Sequence, residues 1–213
     1  MKIERPTRIN RILAGTLIAA AVAVAGSTAL AADEHQHHHP APATAGTPNA
    51  DVKRSVVEIK LPATPLVRQD GAATNLSKEL DGGKPVILAF IYTSCTTVCP
   101  VTSQIIARTQ NLLGKDLDKA RLVSVSIDPE YDTPARLLAY SKLYAAKPQW
   151  QHYTGTLKNS VAVQKAFSAY RGDKMNHVPL IFINGGKNNS WVKLEGFPSA
   201  EQVVKEYQEQ IGS

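Results

Sequence analysis

From Ser55 to Ser213 the spacing of apolar residues changes repeatedly, and each change marks an expected element. SVVEIKLP (55–62) reads as an edge strand. ATPLVRQDGAATNLSKEL carries a turn at Asp70-Gly71, which predicts a hairpin followed by a short helix. Val86 to Tyr92, inside GGKPVILAFIYTS, is almost unbroken apolar residue, rich in β-branched and aromatic types. A strand covered on both faces of a parallel sheet has this composition. In CPVTSQIIARTQNLLG, the residues Ile105, Ile106, Thr109, Leu112 and Leu113 recur at helical spacing, and Gly114 ends the run. ARLVSVSID predicts a second buried strand. Thr133 caps the helix PARLLAYSKLY, with Pro134 at its first position, where the missing N–H costs nothing. WQHYTG predicts a short strand, NSVAVQKAFSAYRG a helix running to Gly172, and VPLIFIN a third strong strand. NGGKNN turns that strand back into SWVKLEGF, and SAEQVVKEYQEQI is an amphipathic last helix capped by Ser199. Strands alternating with helices in this way predict an α/β domain with a central sheet flanked by helices.

The N-terminal part has no such pattern. MKIERPTRINR supplies Lys2, Arg5, Arg8 and Arg11, an uncharged Ala- and Val-rich run extends from Ile12 to Ala32, and Ala29-Leu30-Ala31 places small residues at a cleavage site. Residues 1–31 are therefore expected to be an export signal. The competing expectation is an uncleaved anchor with membrane attachment through residues 12–32, because a spanning helix needs roughly 20 apolar residues. The alanines and glycines make the run only weakly hydrophobic, which favours cleavage. Either way the expected location is the periplasm or the outer face of the inner membrane. Without residues 1–31 the chain loses four basic residues and one acidic one, Glu4, so its formal charge falls from +6 to +3. The remaining charges are scattered, with no basic stripe interleaved with aromatics, which excludes nucleic acid as a partner. Residues 32–54, rich in His, Pro, Ala and Thr, read as a flexible linker unable to bury a core. Residues 55–213 have the length of one domain.

The chemistry concentrates in TSCTTVCP (93–100), which holds both cysteines of the chain. A structural disulfide stabilises mainly by closing a long loop, and this pair closes almost none. Cys95 follows a buried strand and Cys99 stands where the next helix begins. Residues at i and i+4 share a helical face. A helix N-terminus, with its free N–H groups and positive dipole end, favours thiolates. The expectation is two ionisable sulfurs at an exposed, electropositive loop end, suited to redox exchange or to metal binding.

Six histidines help to separate those two. His152 and His177 belong to the domain. In MNHVPLIFI, His177 stands immediately before a strong strand, and in a thioredoxin-like sheet that segment lies beside the cysteine helix. Two thiolates and one imidazole suit copper, the soft sulfurs holding Cu(I) and the imidazole helping with Cu(II). Zinc is compatible with the ligand types, although a structural zinc usually takes four protein ligands. Pro179 opens the same strand, at the cis-proline position of thioredoxin-like folds; the plain alternative is a trans proline starting a strand.

FIYTSCTTVCP, VSIDPEYDTPARLLAYS and NHVPLIFI together resemble the Sco (SenC-type) copper chaperones, over roughly Leu66 to Ile211. The resemblance implies a thioredoxin-like fold, export, often with a membrane anchor, and copper bound by Cys95, Cys99 and His177. It further implies delivery of that copper to the copper-bearing subunit of cytochrome c oxidase or another copper protein. Asp128 matches the aspartate of the family's DPE block. It either tunes the sulfurs or holds the following turn and caps the next helix. Family members commonly lack the proline that follows here as Val178-Pro179. This keeps a periplasmic thiol–disulfide oxidoreductase, reducing the cysteines of a copper protein, as the alternative. A peroxidase built on Thr93 and Arg108 would leave the second cysteine and His177 unexplained. HQHHHP adds His35, His37, His38 and His39, a tract that either captures metal ions for the domain or is a solvated linker.

Overall fold

The computed structural model describes residues 52–80 and 82–212. The signal or anchor expected over residues 1–31 and the tract His35, His37, His38 and His39 lie outside them. Among the described residues the chain runs β1 (Lys53–Glu58), β2 (Leu66–Arg68), β3 (Ala73–Thr74), α1 (Leu76–Glu79), β4 (Val86–Ile91), α2 (Val98–Leu113), β5 (Arg121–Ser126) and α3 (Pro134–Leu143). It continues through β6 (Trp150–Thr154), α4 (Leu157–Ala166), β7 (Leu180–Asn184), β8 (Ser190–Glu195) and α5 (Ala200–Gly212). One mixed sheet has the order β1-β8-β7-β4-β5-β6-β2-β3. The expected α/β arrangement is present. β4 lies at its centre, parallel to β5 and antiparallel to β7.

The side-chain period of two along β4 builds two cores. Leu88 and Phe90 face Phe167, Phe182 and Val163 of α4 on one side. Ile87 and Ala89 face Ile106 of α2 and Val203 and Tyr207 of α5 on the other. Every residue of β4 is buried, which accounts for the unbroken apolar run. Removing such a side chain from water is worth about 1.5–3 kcal/mol each.

Local chemistry sets the boundaries. The Thr133 hydroxyl accepts from the Arg136 N–H and Pro134 opens α3. Ser199 accepts from the Gln202 N–H at 3.1 Å, capping α5 as expected. Gly71, at φ +87°, makes the β2–β3 turn. Two boundaries and one helix face differ from the sequence expectation. β1 starts at Lys53, two residues earlier, because Lys53 and Arg54 continue the ladder with Glu195 and Leu194 of β8. α4 stops at Ala166 and does not reach Gly172, since Ser168 turns to φ +50° and ends the helical path. On α2, Leu112 is 47% exposed, while Thr102, Ser103 and Gln110 are buried.

Candidate metal centre

Where β4 ends, the chain must leave the sheet and start α2. Tyr92 continues inward, and the Cys95 N–H bonds the Tyr92 carbonyl at 3.2 Å, folding Thr93–Cys95 into a tight turn. Asp132 pins this turn. Its fully buried carboxylate accepts from the backbone N–H of Thr93 at 3.1 Å and from the Thr93 and Ser126 hydroxyls at 2.5 and 2.6 Å. Burial pushes the Asp132 carboxyl up, against these hydrogen bonds. Thr93 and Arg108 do not form a peroxide site: Thr93 is committed to Asp132, and Arg108 pairs with Glu201 at 2.6 Å on the surface.

The first turn of α2 is capped in an unusual way. Thr97, the N-cap residue, makes no side-chain capping bond. The Cys99 N–H instead donates to Cys95 Sγ at 3.4 Å. A sulfur thus takes the place of the usual Ser, Thr or Asp oxygen. The expected exposed loop end is corrected here. Cys95 is 7% exposed and Cys99 fully buried, packed with Ile91, Leu137 and Tyr140. The two thiols consequently differ. Burial alone would raise Cys95, but the N–H groups of Cys99 and Thr97, helped by the Cys99 and Tyr92 side chains, more than offset it and bring the thiol to about 7. Burial pushes Cys99 well up, and the neighbouring Cys95 adds to the effect. Cys95 is the ready nucleophile or ligand; Cys99 ionises only when something replaces its proton.

His177 comes to the same end of the sheet by topology. β7 is antiparallel to β4, with Ile181 opposite Ala89, so the residues preceding β7 lie beside those following β4. A short 3₁₀ turn, Lys174–Asn176, delivers the histidine, whose Nε2 lies 3.2 Å from the Phe90 carbonyl. A carbonyl only accepts, so Nε2 carries the proton and Nδ1 keeps the lone pair. Metal-ligating histidines are commonly oriented by such a bond. Desolvation holds the His177 imidazole below its usual range, partly offset by the Phe90 bond, so the ring is neutral and able to bind a metal.

The three residues share a neighbourhood without forming a closed site. Among the described residues no three His, Cys, Asp or Glu groups are assembled to hold an ion. Tyr92 neighbours both sides: its ring lies 6.4 Å from that of His177, edge-on, and it packs in one buried cluster with Cys95 and Cys99. Burial, then Cys95, raise the Tyr92 phenol to about 12. Asp128 neither caps α3, a task Thr133 performs, nor touches a sulfur. Its carboxylate takes Lys174 Nζ at 2.5 Å and its carbonyl accepts from Tyr131 and Asp132, so it holds both the following turn and the segment that carries His177. The Val178–Pro179 peptide is trans, correcting the expected cis bond. Pro179 immediately precedes β7, and its carbonyl accepts from the Gly196 N–H at 3.0 Å.

A family model for SCO1/SenC matches residues 65–212. The chain belongs to the SCO1/SenC family. It is 29% identical over 99 residues to a SCO1 protein homolog from Bacillus subtilis, a match covering 46% of this chain and 51% of the relative. The matched stretch thus spans about half the length of that relative. ScoI of Bradyrhizobium japonicum, solved with copper bound, is 25% identical, with a TM-score of 0.56 over 70% of this chain and 98% of that one. The structure of BsSco, reported with a disulfide switch as a member of the Sco family of cytochrome c oxidase assembly proteins, gives a TM-score of 0.63 at 22% identity, over 73% and 95% of the two chains. As a SCO1/SenC chain it has the thioredoxin-like α/β fold expected from its sequence.

Sequence reasoning missed Asp132, Tyr92 and Lys174. The signal for Asp132 was present: Ser124 and Ser126 interrupt an otherwise apolar strand, and a buried serine at its end needs a partner such as the carboxylate it meets. Tyr92 was counted only as the last apolar residue of β4. Lys174 reaches Asp128 across 46 positions of sequence, and no local pattern announces it.

Proposed function

We propose that this protein is an exported metallochaperone that binds copper through Cys95, Cys99 and His177 and delivers it to the copper-bearing subunit of cytochrome c oxidase or another copper protein. The observation that carries the reading is the Cys95 sulfur at the head of α2, brought to about 7 by helix N–H groups beside a second thiol. His177, at the same end of the sheet, keeps Nδ1 free. The donor set fits copper by chemistry: two soft sulfurs for Cu(I), an imidazole for Cu(II). The copper-bound ScoI relative and the oxidase-assembly description of BsSco support the same direction.

In this reading Cu(I) meets the Cys95 thiolate first. Binding to Cys99 releases that thiol's proton, since a coordinating thiol is deprotonated. His177 completes the set when the Lys174–Asn176 segment moves toward the sulfurs, and a partner with better-matched ligands then takes the ion. The tract at His35, His37, His38 and His39 raises the local concentration of metal, and residues 12–32 hold the chain at the membrane wherever they are not removed. The deciding measurement is Cu(I) stoichiometry, against a chromophoric chelator, of the reduced protein lacking residues 33–50. One tightly held Cu(I) per chain is expected, lost in Cys95→Ser and in Cys99→Ser. Equal binding by the wild type and both variants refutes the assignment.

The unequal thiols favour a second role that is compatible with the first. The Cys95 thiolate attacks a substrate disulfide to form a mixed disulfide, and Cys99 then displaces the substrate thiol. The substrate gains two electrons and the chain is left with a Cys95–Cys99 disulfide. Reduced cysteines bind copper and a disulfide does not, so the redox step sets when metal can load.

A further inference from the structure

We propose that Met175 is a relay ligand for Cu(I), a soft sulfur at the rim that passes the ion between solvent or partner and the buried cysteines. The proposal rests on the copper reading above. Met175 is the only methionine in the sequence besides Met1. It is 74% exposed, two positions before His177. Its exposure is not the looseness of a free loop: its N–H donates to the Asp173 carboxylate at 2.8 Å, and the His177 N–H closes the turn on the Lys174 carbonyl at 3.1 Å. These two bonds hold the turn in an arrangement that presents the thioether to solvent.

The thioether makes one polar contact, accepting from the Tyr92 hydroxyl with Sδ at 3.8 Å. The same tyrosine packs in one buried cluster with Cys95 and Cys99. One tyrosine therefore joins an exposed sulfur to the buried cysteine cluster, while Cys95 and Cys99 offer almost no surface of their own. Thioethers are soft, neutral ligands that select Cu(I). Having no proton to lose, Met175 captures the ion without a titration step and holds it less tightly than a thiolate does. In loading, Cu(I) moves from Sδ to the Cys95 thiolate and then bridges to Cys99, whose proton leaves to solvent. No electron changes hands. Delivery reverses the path, the thioether holding the ion while incoming ligands displace the thiolates.

Two measurements on the full chain test this, with Met175→Leu as the variant because it keeps size and apolarity. Methyl-labelled methionine gives one resonance in addition to Met1, and it should shift as Cu(I) is titrated into the reduced protein. Stopped-flow exchange of Cu(I) with a chromophoric chelator should slow about tenfold in Met175→Leu in both directions, while the equilibrium affinity changes less than threefold. An unmoved methyl resonance, or exchange as fast in Met175→Leu as in the wild type, overturns the relay. If that happens while Cys95→Ser and Cys99→Ser still abolish tight binding, the relay fails and the copper site stands. If the wild type holds no Cu(I), both fail together.

Discussion

His152 and His177 are both buried, on strands or strand ends of one sheet, and they differ in nearly everything else. His152 sits in the middle of β6, stacked on Trp150 with ring centroids 5.1 Å apart, and Tyr140 is edge-on at 6.2 Å. Neither of its ring nitrogens has a hydrogen-bond partner among the described residues. His177 retains 9% exposure, and a carbonyl fixes its tautomer. Burial by itself turns a histidine into an apolar filler that resists charging. Burial with one chosen partner turns it into an oriented lone pair. The closed middle of the sheet and its open end thus use the same residue type for opposite purposes, and four experiments test the contrast.

The largest effect belongs to the closed region. Desolvation lowers His152 to about 3, against 6.5 for an ordinary histidine. Below pH 6.5 the unfolded chain binds a proton that the folded chain refuses. Stability present above pH 6.5 is therefore lost progressively as pH falls toward 3. At about 1.4 kcal/mol per unit, the loss is about 3 kcal/mol by pH 4. Asp70, held at about 2 chiefly by Arg68, contributes an acid loss of the same sign below about pH 4. The informative quantity is therefore the difference between wild type and His152→Leu. Urea titrations should give the variant a flatter dependence on pH between 6.5 and 4; parallel curves would show that His152 does not act as an uncharged filler.

At the open end the effects move from stability to binding. His177→Ala should weaken Cu(II) binding on the order of a hundredfold and Cu(I) binding only a few-fold, because two thiolates dominate the latter. Equal losses for both ions, by chelator competition, would remove the division of labour between sulfur and nitrogen. His152→Leu should leave both affinities unchanged. A smaller effect separates the thiols. In Cys99→Ser, alkylation of Cys95 by iodoacetamide should rise through about pH 7 and level off above it, about tenfold faster at neutral pH than an ordinary thiol allows. A rate still climbing through pH 9 would mean that the helix N–H groups do not hold the thiolate.

The closed region was largely legible in the sequence and the open end only partly so. β4, β5 and β7 announce themselves because strands buried on both faces must be continuously apolar, and Thr133-Pro134 and Ser199 mark helix starts by local chemistry alone. The cysteines and His177 stand out in the sequence by spacing and position, and the structure brings them to one end of the sheet. What stayed hidden is the polar interior. α2 was oriented from its leucines and isoleucines, yet Ser103 faces inward to meet Tyr140 at 2.7 Å, and Leu112 faces water. Asp132 and Thr93 are 39 positions apart, Lys174 and Asp128 46. A buried polar group is satisfied by whichever partner the fold brings near, so its role is written in the tertiary structure and not in any window of sequence. The same reason accounts for the depth of the cysteines: the motif shows a helix start, while the cover over it comes from Leu137 and Tyr140 of α3.

The smallest effect concerns the tie between the two regions. Lys174 reaches from the His177 segment to Asp128, at the end of β5, and lies 5.7 Å from the centre of the Tyr92 ring. Lys174 is partly exposed, and such a pair contributes roughly 1 kcal/mol or less. That is little for the fold and enough to bias a short segment between two positions. Lys174→Met should therefore leave the urea midpoint nearly unchanged while speeding Cu(II) capture by His177 about two- to fivefold. Raising ionic strength should speed the wild type in the same direction, because salt screens an exposed pair, and should do less to Lys174→Met. If the variant captures Cu(II) at the wild-type rate, Asp128 holds its turn and nothing more, and the imidazole reaches the sulfurs without releasing this contact. If capture slows, the ion pair positions His177 for the metal and does not restrain it.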